Sequence, residues 1–331
     1  MVVRTGADVE LTSQGNRFLE ASRQQLALWQ FLGTNTAGGQ ILSQYATTDP
    51  KWDDDKPPDR ALLNSYVPRV KQVVDVLRTG LLAAQPYFWG SEMLRILEQA
   101  AAALPTDIAL REDDIPAPFG YVYFEEPLKI PILPDTMKYT NDPHADWLRG
   151  FMWFVVKSTK HDYNEFSISF LVEDNDVRRG GVVQGMVTMP WGMGLDEIIR
   201  EGVAVNGIPY PEITTAKFRL AMASILLMQQ PIMKRAKGKL GRAERRQWAQ
   251  RTPSEPKEVE FVYLRPSRYV RTDESESVGV DWSCRWWVRP HWRTYARGTV
   301  DEKKVYIWPY IKGPDGKPIK QPSEKVFAVI R

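Results

Sequence analysis

The spacing of apolar residues predicts a helical N-terminal part. Apolar side chains recur every three or four positions over residues 11–32, 59–82 and 91–104, which is the period of an amphipathic helix. Pro105 cannot continue a helix and marks the end of the third one. Residues 1–110 are therefore interpreted as a helical region.

Beyond residue 118 the pattern changes to that of β-strands. Runs of β-branched and aromatic residues, separated by turn-forming residues, favour an antiparallel meander. The strands predicted in this first cluster are 120–124, 151–156, 165–172 and 182–189. Two helices are predicted next, at 194–202 and 212–229, and the basic residues 234–251 predict an arm or a third helix. A second cluster of strands is predicted at 259–264, 281–289, 304–311 and 325–330.

These elements predict an α+β fold, in which a helical N-terminal part precedes an antiparallel β-sheet body with inserted helices. The body spans residues 111–331 and contains a basic C-terminal unit at about 212–331. The sequence leaves open whether the two clusters of strands belong to one sheet.

The net charge of +3 hides two oppositely charged parts of the chain. Residues 231–331 carry 23 Lys and Arg against 12 Asp and Glu, a net charge of +11. Residues 1–230 carry 21 against 29, a net charge of −8. Five of the twelve Trp lie between Trp282 and Trp308. Cations interleaved with aromatic rings suit a polyanion with flat bases, so the C-terminal unit is predicted to bind nucleic acid.

The remaining composition narrows the class of protein. A single cysteine, Cys284, excludes an internal disulfide and a cysteine-based zinc site. His144, His161 and His291 are the three histidines, and they supply few further ligands, so neither a metal nor another cofactor is expected. No apolar run is long enough to cross a membrane, and the first residues lack a signal-peptide pattern. We therefore expect a cytoplasmic protein that does not contact a membrane.

The segment around His291 carries the candidate chemistry. Residues two positions apart share one face of a β-strand, so the arginines and the tyrosine near His291 are predicted to lie beside it, while Trp292 points to a core. Arginine stabilises the charge on a phosphate, and His or Tyr can move protons to and from the 2′-hydroxyl and the leaving oxygen of RNA. The candidate catalytic residues are His291, Arg289, Arg293, Tyr295 and, on the next predicted strand, Lys304.

The same segment also supports binding without catalysis. A basic, aromatic hairpin can bind a phosphate backbone or an acidic protein without catalysing a reaction. Because Pro290 interrupts strand pairing, the sequence leaves open whether these side chains share one face of the strand. The candidate nucleic-acid-binding residues cover the basic segment and the last strands. They are Lys234, Arg235, Lys237, Lys239, Arg242, Arg245, Arg246, Trp308, Tyr310 and Lys312.

Two resemblances bear on function. The sequence reads Trp-Val-Arg-Pro-His-Trp-Arg at 287–293 and Lys-Val-Tyr-Ile-Trp-Pro-Tyr-Ile-Lys-Gly-Pro-Asp-Gly at 304–316, with a closing strand from Lys325. This pattern resembles the C-terminal motif of uncharacterised hypothetical proteins of actinobacteria, their phages and mobile elements. The resemblance implies a prokaryotic or phage cytosolic setting and assigns no activity. Separately, two predicted helices followed by four predicted strands resemble the element order of the much smaller barnase-type and RelE-type RNases.

The sequence therefore favours a nucleic-acid-interacting protein of phage, mobile-element or defence type, with RNA favoured over DNA and metal-independent RNA cleavage as the candidate reaction. The alternative is a non-catalytic interaction protein, such as an inhibitor, a regulator or an assembly component, that uses the basic aromatic surface to hold an acidic protein. In an assembly component, the oppositely charged halves would pair between copies of the chain.

Overall fold

The structure is a computed structural model with α+β architecture, as the sequence predicts. It describes residues 17–34, 60–130, 147–157, 164–172, 182–198, 212–230, 233–238, 240–264, 285–313 and 317–318. The helices are α1 (Arg17–Leu32), α2 (Arg60–Ala83), α3 (Ser91–Ala102), α4 (Glu212–Met228) and α5 (Arg242–Arg251). The strands of the main sheet are β1 (Gln85–Trp89), β2 (Phe119–Lys129), β3 (Trp147–Lys157), β4 (Asn164–Val172), β5 (Val182–Pro190), β6 (Met233–Gly238) and β7 (Val259–Leu264). The C-terminal strands are β8 (Trp286–Val288), β9 (His291–Tyr295), β10 (Lys303–Ile307) and β11 (Tyr310–Lys312).

Both predicted clusters of strands contribute to one seven-stranded sheet, in the order β5-β4-β3-β2-β1-β7-β6. The prediction of an antiparallel sheet needs a correction, because β1 runs parallel to both β2 and β7 while the other neighbours are antiparallel. The helical region 1–110 thus also supplies a central strand. Strand β1 escaped prediction because its last four residues are all buried, so the alternation that identifies a half-exposed strand is missing.

The basic segment 234–251, predicted as an arm or a helix, is only partly helical. Its first residues form β6, which pairs with β7 in antiparallel register from Met233 opposite Leu264 to Gly238 opposite Val259. Gly241 then precedes α5 with an extended backbone. A strand therefore separates the two helices, and the element order of barnase-type and RelE-type RNases is not present. Of the helix predicted at 194–202, residues 195–198 are helical, and the remainder lies outside the described residues, as does the strand predicted at 325–330.

The C-terminal strands form one long hairpin that is interrupted in the middle. His291 lies opposite Ile307 in the β9–β10 pair, and Val288 lies opposite Tyr310 in the β8–β11 pair, so the register is the same on both sides of the interruption. Pro290 and Pro309 lie in the gap, and neither has a backbone N–H to donate to a partner strand. The predicted strand 304–311 therefore divides into β10 and β11, whereas the predicted strand 281–289 contains β8 and β9 begins after its end.

Helices cover both faces of the main sheet. On one face, α1 and α2 bury residues such as Leu28, Leu77 and Leu81 against the sheet. On the other face, α3 and α4 pack around a second core that includes Trp153, and this core also takes in two aromatic residues of the C-terminal hairpin. In the described part of the chain, no helix is long and apolar enough to cross a membrane.

Candidate nucleic-acid interface

Strand β9 turns Trp292 towards the core, and its other four residues, Thr294 included, are exposed. His291, Arg293 and Tyr295 are exposed, whereas the side chain of Trp292 between them is buried, as the strand period predicts. Arg289, just before β9, is exposed as well. Strand β10 adds Lys303, which is exposed and lies opposite Tyr295. We call these five residues, Arg289, His291, Arg293, Tyr295 and Lys303, the hairpin face.

Trp292 fixes β9 to the rest of the protein. Its indole Nε1 donates a hydrogen bond to the carbonyl oxygen of Ala100 at 2.8 Å, near the C-terminal end of α3, and its ring lies 5.2 Å from the ring of Tyr306. Arg219 of α4 donates to the neighbouring carbonyl of Ala101 at 3.1 Å. The Ala101 carbonyl also accepts from the backbone N–H of Leu104, so it is at the Ala100 carbonyl that Trp292 both completes the helix end and holds the hairpin against it.

The side chain of Gln230 hydrogen-bonds to the backbone of β10, as a neighbouring strand would. Its side-chain amide nitrogen donates to the carbonyl oxygen of Lys304 at 2.9 Å, and its side-chain oxygen accepts from the backbone N–H of Tyr306 at 3.1 Å. Gln230 is buried, and its backbone carbonyl accepts from Met233 at the start of β6. The hairpin is thus joined directly to the edge of the main sheet.

Lys304, predicted as a catalytic auxiliary, does not lie with the other candidates. It pairs with Thr294 across the hairpin, so its side chain emerges on the core side, opposite to His291. Its Nζ lies 2.7 Å from a carboxylate oxygen of Asp114 and 3.7 Å from one of Glu302, with only 4% of the side chain exposed. Lys303 occupies the exposed position of β10 instead, and the structure places Lys304 in a buried ion pair.

The acidic loop before β2 holds the turn of the hairpin. Arg111 lies 2.9 Å from Glu302, whose carboxylate also accepts from the backbone N–H of Gly298 at 2.8 Å. The Gly298 hydrogen bond, with further contributions from Arg111 and the nearby Lys304, lowers the pKa of Glu302, although its partial desolvation acts in the opposite direction. Glu302 therefore pairs with Arg111 and Asp114 pairs with Lys304, while the residues of the hairpin face remain exposed.

The imidazole of His291 is oriented by the backbone. Its Nδ1 lies 2.9 Å from the carbonyl oxygen of Arg289. Because a carbonyl oxygen only accepts hydrogen bonds, we assign the hydrogen to Nδ1, and the neutral ring then has its acceptor at Nε2. The guanidinium carbon of Arg293 lies 4.6 Å from the centre of the Tyr295 ring, a cation–π distance that keeps the two side chains side by side.

The remaining predicted aromatic residues have different environments. Trp308 is half-buried against the core and meets Tyr306 edge-on at 5.2 Å, so little of its ring is available to a base. Tyr310 and Lys312 on β11 are exposed, and the Lys312 ammonium lies 6.0 Å from the Trp286 ring. Among the tyrosine and tryptophan side chains of the hairpin that the structure describes, Tyr295 and Tyr310 are the exposed ones.

The predicted basic segment lies on a second surface. Lys234, Arg235 and Lys237 are exposed on β6, the edge strand of the sheet, and Arg235 pairs with Glu260 at 3.2 Å. The exposed side chains of α5 include Arg242, Arg245 and Arg246. Lys239 lies outside the described residues. The structure therefore divides the predicted binding residues between the C-terminal hairpin and the β6–α5 segment.

A metal site is not evident in the part of the chain that the structure describes. There, no group of three or more His, Cys, Asp or Glu is placed to hold a metal ion. His144, His161 and Cys284 lie outside the described residues.

No protein-family model matches the chain, and no curated protein matches it. Among solved structures, the chain is similar to the one titled "Crystal structure of AcrVA2", with 13% sequence identity and a TM-score of 0.40. The match covers 92% of this chain and 99% of that chain. At this identity and TM-score, the likeness says nothing about activity.

Proposed function

We propose that the protein binds nucleic acid, with RNA favoured over DNA, through the hairpin face. The observation that carries the proposal is the division of β9: three exposed polar or aromatic side chains alternate with Trp292, which is anchored in the core. The side chains of the hairpin face therefore stand on a backbone whose position is fixed from behind, and little ordering is needed when a ligand arrives.

The chemistry of the hairpin face suits an extended strand of nucleic acid. Residues two positions apart on a strand are separated by about 7 Å, so the exposed side chains of β9 form a straight row. The two arginines and Lys303 supply charge for phosphates, and Arg can bind a phosphate through two parallel hydrogen bonds. The exposed ring of Tyr295 offers a surface on which a base can stack. The imidazole and the phenol can hydrogen-bond a 2′-hydroxyl, which favours RNA.

The setting that we propose is a phage, a mobile element or a defence system of a prokaryote. Its support is the resemblance of the C-terminal motif around residues 287–316 to uncharacterised actinobacterial and phage proteins. The two matching stretches, 287–293 and 304–316, contain Arg289, His291 and Arg293 of the hairpin face, while Tyr295 and Lys303 lie between them.

A second candidate function is metal-independent cleavage of the bound RNA. The observation that favours it is the contact between His291 Nδ1 and the Arg289 carbonyl, which places the acceptor nitrogen of the neutral ring at Nε2. Nε2 would take the proton of a 2′-hydroxyl as that oxygen attacks the adjacent phosphorus. The bond to the 5′-oxygen breaks, and the leaving oxygen takes a proton from water. The products are a 2′,3′-cyclic phosphate and a 5′-hydroxyl. Lys304 has no part in this step.

The experiment is a binding and cleavage assay with purified protein, EDTA, and labelled single-stranded RNA and DNA of equal length. The variants are Arg289→Ala/Arg293→Ala and His291→Ala, and the charge-matched control is Lys71→Ala/Arg95→Ala, which removes two exposed cations of α2 and α3. We expect the double arginine variant to bind RNA at least tenfold more weakly than the control variant.

Each outcome selects one interpretation. Cleavage that is lost in His291→Ala with binding retained supports the nuclease. Binding without cleavage supports the RNA-binding function alone. Equal RNA binding by the double arginine variant and the control would refute the proposed site, and wild-type protein that binds neither RNA nor DNA would favour an acidic protein as the partner.

A further inference from the structure

Helix α5 is attached to the protein by one of its faces. Trp248 is its only buried residue. On the same side of the helix, Glu244 pairs with Arg23 of α1 at 3.3 Å, and Arg251 lies 3.4 Å from the side chain of Gln30, also in α1. These contacts fix which side of α5 is turned towards the protein and which is turned towards solvent.

The solvent side of α5 carries a stripe of arginines. Arg242, Arg245 and Arg246 are spaced three and four residues apart, so their side chains are neighbours on one face, and all three are exposed. Among the described residues, no carboxylate pairs with any of them. Glu244, the acidic residue of α5, lies on the opposite face. Like charges at this spacing destabilise a helix, so the stripe is unfavourable unless an anion neutralises it.

The positive charge continues from α5 onto the neighbouring strand. Lys234 and Lys237 are exposed on β6, which is the edge of the main sheet and leads into α5. Charged residues on an edge strand have a structural explanation of their own, because they prevent unwanted pairing with other strands. The arginine stripe of α5 is helical and has no such explanation, so it carries the inference.

We propose that the arginine stripe, Arg242, Arg245 and Arg246, is a second contact for nucleic acid that binds phosphate groups without regard to sequence. This inference rests on the proposed function, because it assigns the stripe to the same polymer that the hairpin face binds. The two surfaces belong to one connected structure, since Gln230 hydrogen-bonds to β10 and accepts from the first residue of β6. Helix α5 contacts α1 on one face of the main sheet and the hairpin packs against α3 on the other, so a ligand that contacts both surfaces passes around the edge strand β6.

The test is the salt dependence of RNA affinity. The dissociation constant of a labelled 30-nucleotide single-stranded RNA is measured between low and moderate salt for three proteins. They are the wild type, Arg242→Ala/Arg245→Ala/Arg246→Ala, and the charge-matched control Lys71→Ala/Arg95→Ala/Lys129→Ala, whose residues are exposed on other elements. Three lost phosphate contacts lower the slope of log affinity against log salt by about 2 for a single strand. We expect this loss in the stripe variant and not in the control.

Two controls test whether a change in the stripe variant reflects lost charge or lost folding. Arg242→Lys/Arg245→Lys/Arg246→Lys keeps the charge and is expected to restore most of the slope, because a phosphate also accepts lysine as a point charge. Far-ultraviolet circular dichroism and thermal unfolding verify that the alanine variant is folded. If it is not, the lysine variant is compared with Arg242→Gln/Arg245→Gln/Arg246→Gln, and an equal slope in those two overturns the inference.

The outcomes separate this inference from the proposed function. A stripe variant that behaves like the control, while the Arg289→Ala/Arg293→Ala variant loses affinity, overturns only the second contact. Wild-type protein that does not bind RNA overturns both. A stripe variant that keeps its RNA slope but loses binding to vesicles containing anionic lipid would assign the stripe to a membrane surface, against the inference.

Discussion

Lys304 and Asp114 form an ion pair of 2.7 Å on the core side of the C-terminal hairpin, and only 4% of the lysine side chain is exposed. The adjacent Lys303 points to solvent across from Tyr295. Two neighbouring lysines thus have opposite environments, one in a buried ion pair that holds the hairpin and the other on the exposed hairpin face.

Substituting the two lysines separately is expected to separate stability from binding. Removing one partner of a fully buried ion pair costs about 3–5 kcal/mol, and because Asp114 keeps 20% exposure we expect Lys304→Met to lower the free energy of unfolding by about 2 kcal/mol. Lys303→Met should change it by less than about 0.5 kcal/mol and weaken RNA binding instead. Urea denaturation and RNA titration measure the two effects. The opposite pattern would show that Lys303, and not Lys304, is turned towards the core.

Gln230 is expected to be more important for stability than its position after a helix implies. Gln230→Ala leaves the carbonyl of Lys304 and the N–H of Tyr306 without their buried partners, at about 1–3 kcal/mol for each group. We therefore expect a loss of about 3 kcal/mol in denaturation and faster hydrogen exchange at the Tyr306 amide. The matched control is Gln229→Ala, because Gln229 is adjacent and exposed. Similar stability of the two variants would contradict the role of Gln230.

The free energy of unfolding is expected to depend on pH through the carboxyl group of Glu302. Its pKa is lower in the folded protein than its ordinary value of 4.5, so its contribution is fully present above that value and is lost as pH falls through the folded pKa. Below about pH 4.5, the free energy of unfolding should therefore fall less steeply in Glu302→Gln than in the wild type. Asp301→Asn, at an adjacent exposed carboxylate, serves as the control. Parallel curves for the wild type and Glu302→Gln would exclude this contribution.

Gly120 is expected to tolerate no side chain. A Cβ atom at this position would lie 2.1 Å from the indole ring of Trp153 on the adjacent strand. Overpacking of this kind typically costs about 1–3 kcal/mol, and Trp153 is also held by a hydrogen bond from its Nε1 to the Ala117 carbonyl, so we expect Gly120→Ala at the upper end of that range. Gly194→Ala, where the nearest atom would be 3.4 Å away, should be nearly neutral. Thermal unfolding of both variants checks the prediction.

Local sequence patterns were sufficient for the features that depend on neighbours along the chain. The α+β class follows from the change between a helical and a strand period, and the exposure of His291, Arg293 and Tyr295 around a buried Trp292 follows from alternation within one strand. The interruption of the hairpin was also signalled locally, because Pro290 lacks a backbone donor. These predictions succeed since each depends only on the backbone geometry of a single element.

Other features depend on which strand lies next to which, and the sequence could not supply them. Lys234 to Gly238 form a strand because β7 provides a partner edge, although the residues alone have no strand pattern. Strand β1 lies between two parallel neighbours, and this burial removes the alternation by which it could have been recognised.

The candidate site shows the same division. The sequence by itself determined that a row of cationic and aromatic side chains emerges from one side of β9, because a strand exposes every second residue. Only the tertiary structure decided which lysine joins that row. The register of β9 with β10 makes Lys303 a neighbour of Tyr295 and turns Lys304 inward, where Asp114 compensates its charge. Register is a relationship between two segments, and a shift of one residue exchanges the two faces of a strand.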